Sequence, residues 1–277
     1  KIKINLVDTP GDINFIADTP ASLRVVDGAI IVISAVDGVQ FYTEKVWGWA
    51  TDLGIPKIIF INKIDHEQAD LSSVVESIKK KFNVNPLCVH VPVGSGEKIS
   101  GVVDVLANKS YSYKKDGSGK NEVSVTPESM AEEVKSTYAE LTELIAEVDD
   151  NLTENYLENG ELLDAEFDVG LKKGLEEGKL LPVFIGSATQ NIGIDLLMNA
   201  ITEYLPSPSQ RDPVIAKNIV DGSERPCAAD PKATLSALVF KTVADPYAGK
   251  LTLFRVFSGS IKADSSIYNV TQGTTER

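Results

Sequence analysis

The apolar residues of this chain form short continuous runs, separated by stretches in which they recur every three or four positions. Continuous runs are typical of strands buried on both faces of a parallel sheet, and the wider spacing is typical of amphipathic helices. The predicted strands are Lys1–Asp8, Ala29–Ala35, Lys57–Asn62 and Pro182–Ile185, and the predicted helices are Thr43–Leu53, Asp70–Phe82 and Asn191–Leu205. Their alternation predicts a doubly wound α/β domain with a mostly parallel sheet.

This alternation stops after about Val93 and resumes near residue 181, which predicts an α+β insertion over residues 91–180. The insertion begins with short strands over 101–125 and continues with acidic helices over 126–179, for which Thr126 is the expected N-cap. The α/β domain then comprises residues 1–90 and 181–206. Residues 207–277 are rich in Val, Phe, Leu and Thr with glycines between the runs, and they predict a partial β-barrel domain.

Composition narrows the choice of function. The net charge is −13, from 27 basic and 40 acidic residues, which argues against a general nucleic-acid binder, because such proteins neutralise phosphates with basic surfaces. The two cysteines lie far apart, as expected for free thiols in the reducing cytoplasm. No apolar run reaches the ~18 residues of a membrane span, so we expect no membrane association. The expected state is a monomer.

The first candidate for chemistry is Asp8-Thr9-Pro10-Gly11, after the first predicted strand. A carboxylate at the end of a strand can hold Mg²⁺ through water, and the ion neutralises phosphate charge. A glycine at this place lets the backbone approach a γ-phosphate, because no side chain intervenes. An ordinary turn after a strand remains the alternative for these four residues.

The second candidate is Asn62-Lys63-Ile64-Asp65, at the end of the Lys57–Asn62 strand. The Asp65 carboxylate can accept hydrogen bonds from the N1–H and the 2-amino group of guanine, a donor pair that adenine does not offer. Asn62 can bond the ring edge and neighbouring loops, and the Lys63 stem can lie across the base. Such a site rejects analogues that leave its buried polar atoms unpaired.

The third candidate is Gly186-Ser187-Ala188, directly after the Pro182–Ile185 strand. The backbone amides of Ser187 and Ala188 can bond the guanine O6. A tripeptide of this kind is common, and it indicates a binding loop only because it follows a buried strand. Ligands of doubly wound domains bind at the carboxyl ends of the strands, where these loops are expected to meet.

Taken in order, the three motifs resemble the switch II, base-recognition and final loop motifs of GTPases, and the sequence around them resembles elongation factor G. The flanking matches are Ser22–Ala29, Asp37–Gln40, Gly101–Asp104, Tyr204–Pro208, Asp245–Pro246, Gly249–Leu251, Phe254–Val256 and Ser258–Gly259. The resemblance covers essentially the whole chain. It implies a ribosome-dependent translational GTPase that binds GTP or GDP and Mg²⁺, with Asp8 as the metal-site residue and the three motifs as the nucleotide site.

Two departures from that family matter. Its P-loop and switch I would lie upstream of Lys1, so the chain is expected to be a fragment that by itself binds GTP weakly or not at all. The family also places a histidine directly after the Asp-Thr-Pro-Gly stretch, where this chain has Asp12. With Gly11, Asp12 is the candidate catalytic position, but a carboxylate there repels the polyphosphate, and slow hydrolysis is expected.

The resemblance implies that GTP hydrolysis promotes movement of tRNA and mRNA, with contacts to both ribosomal subunits. The acidic insertion is either a solvated face or the part that meets a ribosomal stalk protein. The alternative function is a paralogue of elongation factor G that binds GTP and ribosomes, hydrolyses weakly and acts as a regulator. A ribosomal-protection factor is disfavoured by the length of the insertion.

Overall fold

The computed structural model describes residues 1–277, apart from the side chain of Glu176. The chain forms two compact units: residues 1–4 with 28–205, and residues 5–27 with 206–277. The helices are α1 (Asp18–Leu23), α2 (Phe41–Asp52), α3 (Leu71–Phe82), α4 (Ala131–Ala146), α5 (Asp150–Asn159), α6 (Asp164–Glu176) and α7 (Ile194–Tyr204). The strands are β1 (Ala29–Ser34), β2 (Lys57–Asn62), β3 (Asn85–Cys88), β4 (His90–Val93), β5 (Gly101–Asp104), β6 (Lys109–Tyr113), β7 (Asn121–Val125), β8 (Leu180–Ile185), β9 (Val214–Lys217), β10 (Glu224–Cys227), β11 (Ser236–Asp245), β12 (Gly249–Ser258), β13 (Ile267–Asn269) and β14 (Thr274–Glu276).

A four-stranded parallel sheet in the order β1-β2-β8-β3 forms the centre of the first unit. Its central strands are buried on both faces, as their continuous apolar sequences require. In β2, Ile59 and Ile61 pack into one core with α3, whereas Ile58 and Phe60 pack into the other core with α4, α6 and α7. The predicted α/β class with a mostly parallel sheet is therefore confirmed.

The segment between β3 and β8 contains an antiparallel sheet in the order β4-β5-β6-β7, followed by the acidic helices α4 to α6. The predicted helix start at Thr126 is wrong. A 3₁₀ turn occupies Glu128–Met130 and α4 begins at Ala131, because the Thr126 hydroxyl donates to Asn108 Oδ1 at 2.6 Å instead of capping a helix.

The prediction of a strand at Lys1–Asp8 is also wrong. These residues have no regular structure, and Ile2 and Leu6 are 67% and 73% exposed. A strand is stable only where a neighbour satisfies its backbone groups and covers one face. Among the described residues no strand pairs with this segment, so its apolar pattern alone does not produce a strand.

The second unit is rich in antiparallel strands, as the sequence predicts for its C-terminal part. Three two-stranded sheets, β9–β10, β11–β12 and β13–β14, make up the described strands of residues 206–277. Helix α1 belongs to this unit and is tied to β11 by an ion pair between Asp18 and Lys241 at 2.8 Å. No helix among the described residues has the length and apolarity that a bilayer crossing needs.

Candidate functional site

The carboxyl ends of β1, β2 and β8 meet at one edge of the parallel sheet. Ser34 pairs with Asn62, and Ile61 pairs with Ile185, so the loops that follow these strands start side by side. The amide of Gly186 donates to the Ile61 carbonyl at 3.0 Å and carries the hydrogen-bond pattern one residue beyond β8. The structure therefore brings two of the three predicted motifs together.

The side chain of Asn62 forms the closest link between these two motifs. Its Oδ1 accepts a hydrogen bond from the Ala188 amide at 2.9 Å, across 126 residues of sequence. Beside it, the Ile64 amide donates to the Gly186 carbonyl at 3.3 Å. These bonds fix the backbone directly before Asp65, whose side chain is partly exposed, as a ligand-binding carboxylate must be.

Hydrogen bonds within the loop from Gly186 to Gly193 define its conformation. The amide of Ser187 donates to the Ile192 carbonyl at 3.0 Å, and the Ile192 amide donates back at 2.9 Å. Ser187 is fully buried, and its hydroxyl accepts from the Gln190 amide at 3.2 Å. We refer to this segment as the 186–193 loop. Its internal bonds leave Ala188 exposed at the surface of the loop.

Lys63 lies at the turn between β2 and Asp65 with a φ of 66°, an unusual conformation for a residue with a side chain. Its Nζ lies 3.6 Å from Asp37 Oδ2, in the loop after β1, and both side chains are more than half exposed. Hydrogen bonding by Ser34, followed by the Lys63 charge, lowers the pKa of Asp37. An exposed pair of this kind contributes little to stability and mainly orients the Lys63 stem.

The Asp8–Gly11 motif belongs to the other compact unit. Asp8 and Gly11 are exposed, and a Cβ at Gly11 would meet no atom within 4 Å. No group of three or more His, Cys, Asp or Glu side chains in the described part of the chain is arranged to hold a metal. A single exposed carboxylate nevertheless fits Mg²⁺, which keeps several waters and takes further ligands from phosphates.

Asp12 has a local structural role that the sequence did not indicate. Its Oδ1 accepts from both the backbone amide and the side-chain amide of Asn14, each at 2.8 Å, and it caps the 3₁₀ turn Ile13–Phe15. The side chain is exposed. The carboxylate at the predicted catalytic position is therefore engaged with its own turn.

Sequence reasoning missed three residues that act next to the 186–193 loop. Tyr113 and Asn121, in the inserted sheet, both donate hydrogen bonds to the carboxylate of Asp195 in α7. They lie 82 and 74 residues from Asp195, so no local pattern points to the contact.

Comparison with known proteins agrees with this arrangement. A family model described as the elongation factor Tu GTP binding domain matches residues 1–207. A crystal structure of a protein from Thermus thermophilus is similar over 98% of this chain, with a TM-score of 0.78 and 28% sequence identity. The match covers 37% of that protein, so the chain spans little more than a third of its length. The chain therefore belongs to the elongation factor Tu GTP binding domain family, a family of translational GTPases.

Proposed function

We propose that this chain supplies the guanine-recognition part of a ribosome-dependent GTPase that resembles elongation factor G. The observation that carries the proposal is the 2.9 Å hydrogen bond from the Ala188 amide to Asn62 Oδ1, which joins the two motifs that the sequence assigns to the base. In this proposal Asp65 accepts from the N1–H and the 2-amino group of guanine. The Ser187 amide is occupied by the Ile192 carbonyl, so O6 is assigned to the Ala188 amide, which turns from Asn62 Oδ1 to the base when the nucleotide binds. The Lys63 stem lies along the ring.

The phosphate side of the reaction is assigned to Asp8–Gly11. A bound Mg²⁺ supplies charge neutralisation on the phosphates. Asp8 has an exposed carboxylate able to hold the waters of that ion, and Gly11 offers a backbone amide without a side chain in the way. Hydrolysis of GTP in the full-length protein is then coupled to movement of tRNA and mRNA on the ribosome. The acidic helices α4 to α6 are the proposed contact with a stalk protein.

Base recognition is tested by replacing Asp65 with asparagine in the full-length protein. An asparagine amide donates where the carboxylate accepted, so it repels the 2-amino group of guanine and suits the 2-oxo group of xanthine. We expect GDP affinity to fall by about 100-fold or more and xanthosine diphosphate affinity to rise, because a buried donor left unpaired is costly. Isothermal titration calorimetry with GDP and with xanthosine diphosphate measures both affinities in wild type and in D65N. Equal affinities of wild type and D65N for GDP would contradict the assignment.

A second candidate function rests on Asp12. A paralogue that binds GTP and ribosomes but hydrolyses slowly would act as a regulator. The engagement of Asp12 with Asn14 favours it, because the carboxylate is held in its own turn and adds negative charge where phosphate is expected. Phosphate release by the full-length protein, with and without ribosomes, separates the two candidates. The regulator hypothesis predicts weak stimulation in wild type and stronger stimulation in D12H, and strong wild-type stimulation excludes it.

A further inference from the structure

The β6–β7 hairpin of the inserted sheet contacts the first turn of α7. Tyr113 and Asn121 face each other at the paired end of these strands. Tyr113 Oη donates to Asp195 Oδ1 at 2.5 Å, and Asn121 Nδ2 donates to Asp195 Oδ2 at 2.7 Å. One hairpin therefore satisfies both oxygens of a single carboxylate, with the two bonds made by residues on different strands.

Asp195 is the second residue of α7, and this helix starts directly after the 186–193 loop. The last residue of that loop, Gly193, has a φ of 74°, and a Cβ there would lie 2.6 Å from the Ile185 carbonyl oxygen. The loop therefore leaves β8 and enters α7 through a tight, sterically fixed junction. A contact that restrains the Asp195 side chain therefore also restrains the backbone where the loop joins α7.

Tyr113 is the buried member of the contact. It is 6% exposed and belongs to the same core as Ile192 and Leu196, which lie in the 186–193 loop and in α7. Burial, and then the hydrogen bond to Asp195, raises the pKa of the Tyr113 hydroxyl, so it remains a donor at every physiological pH. The bond to Asp195 is therefore partly shielded from water, which makes it stronger than the same bond at the surface.

The tip of the same hairpin touches the 186–193 loop directly. Asn191 Nδ2 donates to the Gly117 carbonyl at 3.4 Å. A Cβ at Gly119 would lie 2.6 Å from that same Nδ2, so the hairpin backbone approaches the Asn191 side chain more closely than a residue larger than glycine would permit. This second contact is independent of Asp195 and reaches the loop from the same hairpin.

We propose that the β6–β7 hairpin positions the 186–193 loop for guanine recognition, with Tyr113, Asn121 and Asp195 as positioning residues. The inference rests on the proposed function, because it assigns the loop to the base. The inserted sheet is then more than a separate binding module, since its hairpin determines how well the Ser187–Ala188 backbone is placed against O6. Loosening the hairpin weakens binding of every nucleotide that has O6.

The test uses the full-length protein with three variants and one control. Y113F and N121A each remove one bond to Asp195. The double variant N121D/D195N exchanges donor and acceptor and restores the second bond. Y138F is the matched control, because Tyr138 lies on α4 in the same segment and its ring stacks on Phe167 in α6. Hydrogen exchange of the 186–193 segment and dissociation constants for GDP and inosine diphosphate are measured for each.

We expect about tenfold faster exchange in the 186–193 segment of Y113F and N121A, with β1 and β2 unchanged, and near wild-type exchange in N121D/D195N and Y138F. The dissociation constants for GDP and inosine diphosphate should rise by a common factor, because both bases have O6 and only guanine has the 2-amino group. A purely structural role would speed exchange throughout the unit. Unchanged exchange in the loop, or faster exchange with unchanged affinity, overturns the inference. A wild-type protein that does not bind GDP contradicts the proposed function itself, and the inference with it.

Discussion

Replacing Gly186 with alanine tests how closely the 186–193 loop packs on the sheet. A Cβ at this position would lie 2.2 Å from the carbonyl oxygen of Ile192 and 2.7 Å from Cζ of Phe60. Phe60 is 3% exposed and has little room to move, and the Ile192 carbonyl already accepts from the Ser187 amide at 3.0 Å. The loop must therefore shift away from β2.

The cost follows from these contacts. A shift of about 1 Å at the Ile192 carbonyl breaks its bond to Ser187, which contributes about 1 kcal/mol. The strain of overpacking adds about 1–3 kcal/mol. We therefore expect G186A to lower the free energy of unfolding of the first unit by about 3 kcal/mol. The displaced Ala188 amide should also lose its bond to Asn62, so guanine affinity should fall together with stability.

The assay is urea unfolding followed by tryptophan fluorescence. The chain has two tryptophans, Trp47 and Trp49, and both lie in α2 of the first unit, so the signal reports that unit. The control is G48A on the same helix, where a Cβ would meet no atom within 4 Å. Alanine favours helix over glycine, so G48A should stabilise by about 1 kcal/mol. If G186A and G48A shift the unfolding midpoint in the same direction, the packing argument is refuted.

Three further perturbations follow from individual side chains. Burial lowers the pKa of His90 to about 3 in the folded protein. As the pH falls below about 6.5, His90 is therefore protonated in the unfolded chain before it is protonated in the folded one. The stability is full above that pH and should drop by about 2 kcal/mol by pH 5, and H90Q should flatten this slope in urea unfolding. In the second unit, D27A removes the partner that lies 2.6 Å from Arg255 and should cost about 2 kcal/mol, the usual worth of a hydrogen bond to a charged group, measured as faster amide exchange in β11 and β12. D12A removes the cap of the Ile13–Phe15 turn and should speed exchange of the Asn14 amide, whereas D12N should leave it unchanged.

Controls for these changes are available within the same elements. Asp104 lies opposite His90 on β5, and burial raises the pKa of its carboxyl. The contribution of Asp104 to stability therefore increases as the pH falls, whereas that of His90 decreases. Asp104 is present in both wild type and H90Q, so the difference between their pH profiles isolates the histidine. For the second unit, D18A breaks the more exposed pair with Lys241 and should cost less than D27A. A D18A effect equal to or larger than that of D27A contradicts the burial argument.

The sequence by itself was sufficient where the physical signal is local. Strands β2 and β8 could be predicted because an unbroken apolar run has no stable place except inside a sheet covered on both faces. Asn62 and Asp65 could be selected as candidates because they follow such a strand, and the ends of neighbouring parallel strands meet at one edge. For the same reason the Ser187–Ala188 loop was expected beside them, and it lies there. Their roles toward guanine remain proposals.

The tertiary structure decided what depends on distant partners. The apolar alternation of Lys1–Asp8 matches a strand, yet no described strand pairs with it, and β3 forms beside β8 from a short segment that contains Pro86. Thr126 has the chemistry of a helix cap but bonds Asn108 instead. The carboxylate of Asp195 meets Tyr113 and Asn121 only after the inserted sheet has packed against α7. Local sequence determines which conformations a segment favours, whereas hydrogen bonds between residues 74 and 82 positions apart exist only once the chain between them has folded.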